Sequence, residues 1–157
     1  MYRKTADFVA EWTRSAEGSL AVFRAITDEK MNVSIVDGHN SLAWLAWHLA
    51  GAAAMFGNTV GLQIPAVAHD APVPSNMAEI VKQYEAIHQA FLHGAPALTD
   101  EQMEEAVDSF AGPMPRGAIL RMMVDHQTHH RGQMTVLLRQ AGLTVPPVSG
   151  PTKEMQQ

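Results

Sequence analysis

The chain has 157 residues, a formal net charge of −5 and no cysteine. That length suits one domain with a usable core, and the 46% hydrophobic content excludes a disordered chain. Without cysteine there is no disulfide, thiolate metal site or cysteine nucleophile, and the acidic balance argues against nucleic acid as a partner.

Met1 to Asp7 is polar from the start, with no apolar run of the kind a signal peptide needs, so a cytoplasmic location is expected. The first helix is expected from about Thr5 to Thr27. Phe8, Trp12, Leu20, Phe23 and Ile26 lie near helical spacing, with Glu11, Arg14, Glu17 and Arg24 between them. The connection from Asp28 to Asn40 carries a β-prone patch, Asn32 to Val36.

A second helix is expected from Asn40-Ser41, both good N-caps, to about Gly57. It is apolar nearly all round, and no Asp, Glu, Lys or Arg lies between Asp37 and Asp70. Leu42 to Val60 is long enough to cross a bilayer. His48, Asn58, many alanines, two glycines and the lack of basic flanks favour a buried central helix instead, with no membrane partner.

A long loop, Asn58 to Pro74, precedes a third helix that begins at Ser75-Asn76. Asn76 and Glu79 have capping-box spacing, Ile80, Tyr84, Ile87 and Phe91 supply an apolar stripe, and Gly94 ends it. Within the next connection, Ala95 to Pro115, Thr99 and Gln102 suit a short capped turn. A fourth long helix starts around Pro115 and ends before Gly142. Residues 145–157 read as an irregular tail. Four helices joined by long connections predict an all-α, single-domain four-helix bundle over residues 1–157. A strand pair from Val33–Val36 and Glu105–Phe110 would only decorate it.

The histidines carry the chemistry. His126 and His130 are spaced i,i+4, which places both on one helix face. That face also holds Ile119, Met122, Met123, Gln133 and Leu137, and is expected to point inward. Arg121, Asp125, Arg131 and Arg139 are expected to lie mostly away from it. Met122, Met123 and Met134 read as core or pocket lining.

The pair can share a metal ion, or form a polar cluster satisfied by Asp125, Gln133 or water. His48 taken alone reads as a core histidine with hydrogen-bond partners. Taken with the pair, it can close a three-histidine site in the bundle core, with a position left open. His129 could substitute for His130, but pairing with Asp125 on the helix surface is favoured. His39, His69, His88 and His93 are expected in loops or at the surface. Gln133 is a candidate partner for a ligand imidazole.

Two blocks then resemble a known family, the DinB/YfiT-like metalloenzymes. They are Ser41-Leu42-Ala43-Trp44-Leu45-Ala46-Trp47-His48-Leu49-Ala50-Gly51 and His126-Gln127-Thr128-His129-His130-Arg131-Gly132-Gln133-Met134. The resemblance implies a homodimeric bundle with a divalent metal, zinc or nickel, held by His48, His126 and His130. It implies a metal-dependent hydrolase, or a transferase that uses a low-molecular-weight thiol, acting on a small-molecule substrate. The alternative is a non-catalytic module that binds a small ligand or a protein, with the metal structural or absent. No carboxylate is obviously placed as a general base, so no catalytic residue is assigned.

Overall fold

The capping residues place the helices. In the computed structural model, which describes residues 1–68 and 70–156, α1 spans Thr5–Arg24, α2 Leu42–Thr59 and α3 Met77–Gly94. A short α4, Asp100–Glu104, precedes the long α5, Arg116–Gln140. Ser41 Oγ accepts from Trp44 N at 3.2 Å and so starts α2. Asn76 accepts from Glu79 N at 2.9 Å, and its amide donates back to the Glu79 carboxylate at 2.9 Å. Thr99 and Gln102 form the complete reciprocal box. Gly142 follows α5 with φ 74°, a left-handed conformation in which a side chain would be strained.

α1 and α2 each pack against both α3 and α5. α1 runs parallel to α5: Tyr2 N donates to Gly117 O at 3.0 Å near one end, and Arg131 reaches Ser15 further along both helices. α2 runs antiparallel to α5, because Gln127 meets Leu49 O while Arg116 Nε meets Val60 O. The long connections, 25–41 and 60–76, are what allow parallel as well as antiparallel neighbours. The core between the layers is filled by Phe8, Trp12, Phe23, Leu42, Leu49, Ile80, Tyr84, Phe91, Ile119 and Leu120, all buried. Among the described residues no helix is long and apolar enough to cross a membrane.

The β-prone patch at Asn32–Val36 does not form a strand. The carbonyls of Met31 and Val33 instead accept the backbone N–H groups of Ala43 and Leu42, at 2.8 and 3.0 Å. The segment spends its backbone on the free end of α2, where unpaired N–H groups need acceptors. The one strand pair among the described residues joins β1, Ala106–Val107, to β2, Met114–Pro115, antiparallel. Residues 145–156 are irregular apart from a 3₁₀ turn at Lys153–Gln156, which Glu154 ties to Arg139 at 2.9 Å.

Candidate metal centre

α2 and α5 bring together the three histidines. His48, His126 and His130 each offer one ring nitrogen, and these nitrogens all lie within 4.8 Å of one another. All three side chains are half-buried. His48 Nε2 and His126 Nε2 stand 3.1 Å apart. Two facing Nε2 atoms can make a hydrogen bond only if one ring supplies the proton. Nitrogens bound to one ion at the usual ~2.0–2.1 Å in a tetrahedral set stand roughly 3.4 Å apart. The donor set therefore fits a metal ion, for which neutral imidazoles are suitable ligands.

The rings are oriented from several sides. His130 Nδ1 lies 2.8 Å from Gln133 Oε1. An amide oxygen only accepts, so Nδ1 carries the proton and Nε2 keeps its lone pair free for the site. Trp44 stacks on His48, with ring centroids 4.8 Å apart and planes 11° from parallel. His126 Nδ1 is buried without a protein partner.

Burial pushes the His126 pKa down to about 4, with the neighbouring His130, His48 and His129 adding to the shift. Burial also lowers His48, and His130 adds to that. Among the described residues no carboxylate joins the group.

A cleft of about 770 Å³ opens beside the cluster, and His48 and His126 form part of its wall. Trp44, Trp47 and Phe56 come from α2, and Val67, Ala68 and Ala71 from the long loop that follows it. Trp47 Nε1 donates to Ala71 O at 3.4 Å, which ties that loop to the helix. The loop is thus one side of the cleft as well as a connection.

Other expectations are corrected. His129 does not pair with Asp125. Asp125 is held by Arg121, whose Nε lies 3.1 Å from Oδ2, and His129 Nε2 sits 3.2 Å from Gln133 Nε2 on the exposed side of α5. Arg131 does not point away from the core. It is 6% exposed, and its Nη1 donates to Ser15 O, Ser15 Oγ and Ser19 Oγ on α1.

His88 is also buried, at 6% exposure, near the ring of Trp12. Its position four residues after Tyr84 and three before Phe91 carried that signal in the sequence. His39 and His93 are exposed, and His69 lies outside the described residues. Gln127, not singled out from the sequence, is fully buried. Its amide donates to Leu49 O at 3.0 Å, and its oxygen accepts from Tyr84 Oη at 2.8 Å. It fixes α2 to α5 beside His48 and His126.

Comparison with known proteins agrees with this architecture. The profile of the DinB family matches residues 1–157. The uncharacterized protein YrdA of Bacillus subtilis (strain 168) is 35% identical over 155 residues, covering 98% of this chain and 93% of that protein. The crystal structure of a DinB-like protein from Bacillus cereus ATCC 10987 superposes with a TM-score of 0.85 at 36% identity, covering 94% of this chain and 99% of the other. The DinB-like protein YjoA from Bacillus subtilis gives a TM-score of 0.72 at 17% identity, over 92% and 99% of the two chains, a likeness of fold alone. This chain belongs to the DinB family. It is an all-α DinB-type bundle carrying a three-histidine group able to hold a metal.

Proposed function

We propose that the protein is a divalent-metal-dependent enzyme, with His48, His126 and His130 as the ligands. The observation that carries this reading is the convergence of three ring nitrogens within 4.8 Å on the wall of an open cleft. Zinc or nickel suits the all-imidazole donor set. When bound, such an ion supplies Lewis acidity and lowers the pKa of a water or thiol beside it.

The chain's own residues do the rest. Gln133 holds the proton of His130 on Nδ1, and the stacked Trp44 restrains His48. The depressed pKa of His126 keeps that ring neutral and able to donate its lone pair at physiological pH. Three neutral side chains leave the charge of the ion undiminished, which favours activation of a nucleophile over a purely structural role. Hydrolysis of a small-molecule ester or amide, or transfer from a low-molecular-weight thiol, are the two reactions this supports. A homodimer belongs to the same proposal. Ile35 and Val136, both exposed and lining one recess, supply apolar surface for it.

Elemental analysis of protein purified without chelators tests the reading. Close to one zinc or nickel per chain is expected, lost in His48→Ala, His126→Ala and His130→Ala while the melting transition persists. Wild-type protein without a divalent metal, even after incubation with zinc and nickel salts, refutes it.

A further inference from the structure

The geometry points to an uncharged aromatic or branched apolar group as what the cleft beside the histidines receives. The inference rests on the metal-centre reading only for what stands at the cleft wall, since the apolar lining is independent of any ion. The volume, about 770 Å³, suits a small organic molecule. Trp44, Trp47, Phe56 and Phe110 provide aromatic walls, and Met55 adds a deformable edge. Among the described residues lining the cleft, none is Asp, Glu, Lys or Arg. With no ion bound, a charged group entering there would lose its water with no countercharge to replace it. The polar side chains on its wall include His48 and His126.

The lip adds to the selectivity. Phe110, on the turn between β1 and β2, is 69% exposed, yet its ring centroid lies 6.0 Å from that of Phe56. Trp44 keeps one face against His48 and is itself exposed. Such exposed rings at one cavity mouth suit a flat ligand face, because aromatic pairs gain from stacked or edge-to-face contact. An ester, thioester or similar electrophile carrying a ring would thus seat its ring among the aromatics and turn its reactive group to the histidines.

The test is a titration followed by tryptophan emission and by calorimetry, using 2-naphthol, uncharged at neutral pH, and 2-naphthoate. It is run on the full chain as purified and again after chelator treatment. In the chelated protein, 2-naphthol is expected to bind at least about tenfold tighter than 2-naphthoate, reflecting the cost of burying an unpaired charge. Phe110→Ser, at an exposed turn where folding is not at stake, is expected to weaken 2-naphthol binding about three- to tenfold. Ile35→Ser, at the separate recess, is expected to leave it unchanged.

In the chelated protein, equal affinity for the two probes, a preference for naphthoate, or weakening by Ile35→Ser rather than Phe110→Ser overturns the inference. A chain that takes up metal but shows no naphthol preference loses this inference alone. A chain that binds 2-naphthol selectively but never binds metal loses the metal-centre reading alone.

Discussion

Gln133 Oε1 lies 2.8 Å from Nδ1 of His130, one turn away on α5. The contact fixes which nitrogen of His130 faces the site. Gln133 is exposed, so removing the bond has little effect on folding. Gln133→Leu is expected to keep the melting temperature and to weaken zinc binding about 10–100-fold, the usual effect of losing an orienting partner. Competition against a fluorescent chelator measures it. Unchanged affinity would show that His130 needs no such support.

Acid should destabilise the chelator-treated protein. His126 sits near pKa 4 in the fold against 6.5 in the unfolded chain, and burial lowers His48 and His88 as well. Between those values the unfolded state binds more protons than the folded one. The stability contribution is therefore complete above the unfolded value and is lost as pH falls toward the folded one. Melting temperature is expected to be level from about pH 8 to about pH 7 and to fall toward about pH 4.5. His126→Ala should flatten the slope. A melting temperature that rises on acidification contradicts the assignment.

Two glycines of α5 should respond in opposite directions. A Cβ on Gly117 would stand 1.8 Å from the carbonyl oxygen of Tyr2, a backbone atom that cannot step aside alone. Gly117→Ala is expected to cost about 1–3 kcal/mol or more, as overpacking does. Gly132 has nothing within 4 Å of its would-be Cβ. Gly132→Ala is expected to stabilise by about 0.4–1 kcal/mol, through a less flexible unfolded chain and better helix propensity. Urea denaturation of both variants decides the signs.

Gln127→Leu should be among the costly core substitutions. It leaves the buried Tyr84 hydroxyl without its acceptor and removes the amide bond to Leu49 O, a carbonyl that keeps its place in the backbone ladder of α2. Orphaning that hydroxyl and losing the second bond are expected to cost about 1–3 kcal/mol. Tyr84→Phe, which leaves Gln127 Oε1 with Ser19 Oγ at 3.4 Å, should cost less. Equal losses would show that Tyr84, and not Gln127, is the anchor of the network.

Much of the site was legible because the i,i+4 spacing of His126 and His130 is a rigid geometric statement, and an imidazole in uncharged α2 had few places to go. The caps at Ser41 and Thr99 were legible for a similar reason, since one side chain satisfies a known backbone need. Arg131 and Gln127 were not legible. A single inward stripe describes a helix packed on one neighbour, whereas α5 is wedged between α1 and α2. Its buried arc is wide enough to take in positions that look outward by periodicity alone. The guanidinium is tolerated there because α1 offers it a carbonyl and two hydroxyls. The Val33–Val36 patch misled because β propensity says nothing about which partner the backbone will find.

His48 and His126 are separated by 78 positions along the chain yet touch at 3.1 Å. An unfolded chain therefore holds at most the His126–His130 pair near each other, and the third donor arrives only when α2 docks on α5. An ion that requires all three acts as a clasp on the finished bundle, pulling the folding equilibrium by mass action in proportion to its free concentration. Metal supply would then set how long the protein survives its own transient openings, apart from any reaction it performs.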